Sequence, residues 1–181
     1  MTAARCIVAD PPWKFGDRLP GPKRGAAKHY PCMSIRDLVR FPLPPIADDA
    51  VLFLWRVASM VPEAYQIVDA WGFKAKAELV WVKRTERGRR WFGMGRTVRA
   101  EHEVAIIATR GKPAITSRAI RSTFEAAVPG GQHSAKPDAF FALVEQLCAG
   151  PRVELFARRA RPGWTCYGNE LPDGCVAAGG G

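Results

Sequence analysis

Cys6-Ile7-Val8-Ala9-Asp10-Pro11-Pro12-Trp13 joins four consecutive apolar residues to an acid, two prolines and an indole. An unbroken apolar run of this length suits a strand buried on both faces, which is the habit of a parallel sheet covered by helices. The two prolines lack amide donors and end the ladder, so Asp10 falls just past the carboxyl end of the strand. In open α/β sheets ligands bind beyond that edge. The simpler reading of the same residues is a strand closed by a proline turn, with no chemistry attached.

The pattern repeats along the chain. Short apolar runs rich in β-branched and aromatic residues recur at 6–9, 51–55, 77–82, 104–108, 124–128, 153–156 and 165–167, and each predicts a strand. Between them Val61, Ala64, Tyr65, Val68 and Trp71 mark one helical face, and Phe140, Phe141, Val144, Leu147 and Cys148 mark another. Alternating strands and helices predict an α/β fold with a mostly parallel sheet of about seven strands and helices on both faces. The residues that follow the apolar runs become candidates for a site: Asp10 to Trp13, Arg56, Lys83, Thr109, Ala157 and Arg158.

A chain of 181 residues, 48% hydrophobic, holds one well-filled core, so a single domain over 1–170 and a Gly-rich, flexible tail over 171–181 are expected. Its apolar runs fall far short of the roughly 20 residues that span a bilayer. The amino terminus runs within a few residues into the first strand, and a cytoplasmic location is expected. Five scattered cysteines and three histidines show no ligand spacing, so no metal is anticipated.

Twenty-seven basic residues against 17 acidic ones give a net charge of +10, which favours a polyanionic partner. Two long segments concentrate that charge. One, 14–31, carries Lys14, Arg18, Lys23, Arg24 and Lys28. The other, 84–100, carries Arg84, Arg87, Arg89, Arg90, Arg96 and Arg99 around Trp91 and Phe92. Arginines neutralise phosphates and aromatic rings stack on bases, so the second loop reads as a nucleic-acid contact rather than a solvated charged loop.

Asp10-Pro11-Pro12-Trp13 also has a chemical reading. The exocyclic amine of adenine is a poor nucleophile because its lone pair is delocalised into the ring. A carboxylate at Asp10 and the Pro11 carbonyl can accept its two N–H groups, while Pro11 and Pro12 hold both acceptors fixed and Trp13 offers a stacking face.

These residues resemble the motif of the MT-A70-like adenine methyltransferases. So do Tyr30 to Leu38, Leu52 to Trp55, Trp81 to Lys83, His133 to Asp138, Glu154 to Arg158 and Gly168 to Glu170, in order along nearly the whole chain. The resemblance implies a Rossmann-like methyltransferase fold and S-adenosyl-L-methionine as cofactor. The reaction it implies is methylation of adenine N6 in nucleic acid, with DNA expected, RNA as the alternative, and a non-catalytic nucleic-acid-binding subunit as a third reading. It leaves a homo- or hetero-oligomer open.

The resemblance implies cofactor contacts from Asp10, Ser134, Lys136, Glu154, Phe156, Arg158, Asn169 and Glu170. Lys136 precedes Pro137, a residue suited to a helix start, so an ammonium and a helix terminus converge where a methionine carboxylate would sit. Glu154, a charge within an apolar strand, either contacts ribose hydroxyls or pairs with an arginine. Glu170 stands where the family often has Gln, and so lacks amide donors. No Gly-rich phosphate turn occurs, as suits a cofactor without phosphates. Substrate contacts are expected from Trp13, Tyr30, Lys83, Arg84, Arg90, Trp91 and Arg96.

Overall fold

The computed structural model describes residues 2–14, 32–93, 95, 97–130, 135–169, 171 and 177–178. Strand β1 (Ala4–Ala9) leads through a short helix α1 (Ile35–Val39) to β2 (Ile46–Arg56), then α2 (Val61–Ala70), β3 (Lys74–Arg84), β4 (His102–Arg110) and β5 (Thr123–Ala127). Helix α3 (Asp138–Leu147) connects to β6 (Arg152–Leu155), followed by β7 (Trp164–Tyr167) and a two-residue β8 (Ala177–Ala178). All seven apolar runs form strands, and both helical faces form helices.

The strands form one sheet in the order β5-β3-β4-β2-β1-β6-β7-β8. It is mixed, which corrects the expectation of a mostly parallel sheet. The pairs β1·β2, β1·β6, β3·β5 and β6·β7 are parallel. By contrast β4 runs antiparallel to both β2 and β3, and β8 antiparallel to β7. Apolarity on both faces reports burial, not strand direction. The reason for the reversal lies in the connection: among the described residues no helix separates β3 from β4, and a chain that turns back without a crossover pairs antiparallel.

Alternate residues of the central strands feed two cores. Ile7, Ala9, Leu52, Leu54, Ile106 and Leu155 pack with Leu38 of α1 and Ala64, Ile67 and Val68 of α2. Cys6, Val8, Phe53, Trp55, Leu79, Trp81 and Ala105 pack on the other face with Phe140, Phe141 and Val144 of α3. Helices therefore cover both faces, and β1 is buried from each side. Helix α1 is too short to show a periodic face, but Ser34 and Asp37 close a capping box at its start.

The reversal of β4 also relocates a candidate. Thr109 pairs with Val51 midway along β2 and with Lys74 at the amino end of β3, so it lies away from the edge that Asp10 occupies. The residue that β4 delivers to the ligand edge is Glu103, which pairs with Trp81. Among the described residues no helix is long and apolar enough to cross a membrane.

Candidate active site

Past Ala9 the chain turns sharply. The Trp13 amide donates to the Pro11 carbonyl at 2.9 Å, and the Met33 amide donates to the Pro12 carbonyl at 2.8 Å. A bridge between Trp13 and Met33 ties the turn to the start of α1. The Trp13 indole is only 4% exposed, lies in the α1/α2 core and donates to the Trp55 carbonyl at 3.2 Å. It braces the turn from beneath, an arrangement that differs from the stacking face expected of it. The Pro11 carbonyl is already engaged but keeps a second lone pair.

The turn brings Asp10 to a cavity of about 470 Å³ at the carboxyl ends of β1 and β6, a size typical of small-molecule sites. Lys136, Glu154, Phe156, Arg158 and Arg161 share its lining with Asp10. Lys136 is fixed by Pro137, the N-cap of α3. Its ammonium lies 2.6 Å from Asp10 Oδ2 and 3.3 Å from Glu103 Oε2, and 5.2 Å from the Trp55 ring centre. Burial alone would lower the Lys136 ammonium, but Asp10 and Glu103 together hold it above its usual range. The side chain is 6% exposed and so charged in a nearly dry setting.

Glu103 bridges two cations, since its Oε1 lies 2.5 Å from Lys83 Nζ. Burial would raise this carboxyl, yet Lys136 and Lys83 outweigh it and hold it below the usual range. Lys83 in turn sits 5.2 Å over the Trp81 ring. Two acids and two ammonium groups thus form a continuous row from β1 to β3.

On neighbouring β6, where it pairs with Val8, Glu154 is pushed up to about 7 by burial, against the pull of Arg161 and with the Asp10 charge adding to the rise. Arg161 Nε stands 3.7 Å from Glu154 Oε2, and both atoms are buried without a hydrogen-bond partner. Arg161 also stacks 3.4 Å from the Phe141 ring centre and bonds Asp138. Next to Glu154, Phe156 adopts φ +62, a left-handed conformation costly for an aromatic residue and common where backbone is shaped for a ligand. Just past β7, Gly168 packs against the residue after Phe156 so closely that a Cβ there would fall 1.8 Å from the Ala157 carbonyl oxygen.

The expected substrate residues divide. Lys83 is committed to Glu103, and Arg84 makes a two-pronged pair with Glu125. Arg90 is exposed beside Glu101, Trp91 is half-buried, and Phe92 is 75% exposed with Arg99 stacked 4.8 Å from its ring centre. Arg56 pairs with Glu78. Asn169 is exposed after β7 and does not line the cavity. Tyr30, Arg96, Ser134 and Glu170 lie outside the described residues, as do Arg18, Lys23, Arg24 and Lys28. Glu103 and Arg161 are absent from the sequence-based candidates. The signal for Glu103 was the same as for Glu154, an acid abutting an apolar run.

The MT-A70 family model matches residues 4–170. Type II methyltransferase M.MunI of Mycoplasma sp is 30% identical over 188 residues, covering 92% of this chain and 77% of that protein. The human N(6)-adenosine-methyltransferase catalytic subunit METTL3 is 28% identical over 177 residues, covering 91% of this chain and 28% of its own length. The mouse N(6)-adenine-specific methyltransferase METTL4 is 27% identical, with 91% of this chain and 37% of its own length covered. The chain spans most of the first protein but well under two thirds of the other two.

Proposed function

Because the chain belongs to the MT-A70 family, we propose that it is an S-adenosyl-L-methionine-dependent methyltransferase acting on the N6 amine of adenine in DNA. The observation that carries this reading is the convergence of Asp10 with Lys136, Glu154, Phe156 and Arg158 on one cavity at the ligand edge of the sheet. The type II methyltransferase among the relatives, at 30% identity, supports the DNA reading.

The donor set fits the cofactor. Glu154 Oε2 and Arg161 Nε are buried polar atoms without hydrogen-bond partners, and a ribose diol offers hydroxyls to a carboxylate in that position. Lys136, just ahead of α3, offers an ammonium to a carboxylate. When bound, S-adenosyl-L-methionine supplies the electrophilic methyl group. Asp10 accepts one N–H of the substrate amine, and the Pro11 carbonyl offers its remaining lone pair to the other. This draws the nitrogen lone pair out of the ring without any covalent enzyme intermediate. Arg90 and Phe92 contact the nucleic acid backbone and bases.

RNA is the second reading, favoured by the 91% coverage of this chain by the adenosine methyltransferase subunit. The discriminating experiment incubates the protein with labelled cofactor and matched DNA and RNA oligonucleotides, followed by nucleoside mass spectrometry. N6-methyladenine in the DNA arm is expected. Methylation of RNA alone would reverse the choice of substrate, and absence of both would remove the reading.

A further inference from the structure

Glu103 stands outside the motif, yet among the described residues its carboxylate is seen to touch both lysines of the row. Its Oε1 takes Lys83 at 2.5 Å and its Oε2 takes Lys136 at 3.3 Å, while Asp10 Oδ2 takes the same Lys136 ammonium at 2.6 Å. Asp10 Oδ1 accepts no hydrogen bond from the described residues. An ammonium held between two carboxylates draws less electron density from each than one bound to a single carboxylate, because its protons and its field are divided. The indole of Trp55 beneath Lys136 restricts it further.

We propose that Glu103 is a positioning residue for methyl transfer: by sharing Lys136 with Asp10 it fixes the ammonium at the cavity wall and leaves Asp10 an oxygen able to hold the substrate amine. Without this charge Asp10 carries the share of the Lys136 ammonium that Glu103 takes in the natural protein. Asp10 is then a weaker acceptor. Lys83 loses its partner at the same time, so two cations stand beside one anion. The direction of β4 makes this arrangement, since only an antiparallel strand presents its amino end beside Asp10.

The inference rests on the proposed methyl transfer, so its test has two arms. In the first, Glu103→Gln keeps the shape and removes the charge. The expected result is a kcat reduced at least tenfold, with KM for cofactor and oligonucleotide changed less than threefold. The alkaline limb of kcat should move to lower pH. Among the described residues, the groups around Lys136 that bear on this limb are Asp10 just past β1, Glu103 on β4, Lys83 on β3, and Glu154, Arg161 and Asp138 in the cavity lining. Only Glu103 is altered. Glu103→Asp, which restores the charge, should recover much of the rate and the limb.

The second arm needs no turnover: in protein labelled at lysine side chains, the Lys136 ammonium is titrated by NMR and should lose its proton at lower pH in Glu103→Gln than in the natural protein. An unchanged kcat, or a kcat loss that Glu103→Asp does not relieve, overturns the inference, as does an unmoved Lys136 titration. A natural protein that methylates nothing removes the proposed function instead, while the titration still reports on Glu103.

Discussion

Asp10 and Lys136 are 126 residues apart in the chain, yet their charged atoms meet at 2.6 Å. One follows the first strand and the other precedes the third helix, so the contact exists only when the sheet is assembled. Substituting Lys136 by Met strands two carboxylates beside a cavity wall. Removal of one partner from a buried ion pair typically costs about 3 kcal/mol or more. Since Glu103 keeps Lys83, the lower end is expected here. A denaturant midpoint shifted to lower concentration at unchanged slope is the measurement, and a midpoint equal to that of the natural protein would show the pair to be energetically idle.

Glu154 makes cofactor binding depend on pH. Its carboxyl, pushed to about 7 in the fold from an ordinary 4.5, is protonated in mildly acidic solution and cannot then accept from two ribose hydroxyls. Affinity for S-adenosyl-L-methionine, read by calorimetry, should rise as pH is raised through 7. Glu154→Gln should bind more weakly and with little pH dependence across the same interval.

The same shift predicts stability with the opposite sign. Between about pH 4.5 and 7 the folded protein retains a proton that the unfolded chain has lost, so unfolding releases it and stability falls as pH rises. The penalty is absent below the ordinary value and complete above the folded one. At pH 8 Glu154→Gln, free of cofactor, should melt higher than the natural protein, by up to about 3 kcal/mol. At pH 4.5 the two should nearly coincide.

Gly168 should tolerate no side chain. A Cβ at this position meets the Ala157 carbonyl oxygen at 1.8 Å, and that contact is backbone, which cannot swing aside. Gly168→Ala should cost roughly 3 kcal/mol, the upper range for overpacking, and should depress cofactor binding by moving Phe156 and Arg158. An undiminished melting temperature would show that the two segments past β6 and β7 part easily there.

Phe92, exposed within the basic segment, should contribute to nucleic-acid binding and nothing to the fold. A stacked base is worth about 1–3 kcal/mol. Phe92→Ser should therefore weaken oligonucleotide binding about tenfold in a fluorescence-anisotropy titration, with an unchanged melting temperature. Equal affinity would assign the ring no part in recognition.

Strand positions were legible because the apolar runs are short and rich in β-branched and aromatic residues, and the two longer helices because their faces repeat. Direction was not, since β4 is as apolar as β2 while running the other way. The chain did carry a clue in the helix-free segment between β3 and β4. That one reversal explains both errors of placement, Thr109 at the wrong edge and Glu103 unrecognised. Asp10 and Lys136 could be found locally, beside Pro11 and Pro137, whereas the role of Glu103 depends on partners from β3 and the segment before α3. Trp13 shows a further limit: its type suggested stacking, but only the packed structure reveals the hydrogen bond to Trp55 that turns its ring inward.

The central claim is that the Asp10 carboxylate holds the adenine amine for methyl transfer. Asp10→Asn preserves size and polarity but exchanges one acceptor oxygen for a donor. With labelled S-adenosyl-L-methionine and unmodified DNA, the natural protein should form N6-methyladenine. The variant should lose about a hundredfold or more of that rate while its calorimetric affinity for the cofactor stays within a few fold. Methylation by Asp10→Asn at the natural rate would contradict the account.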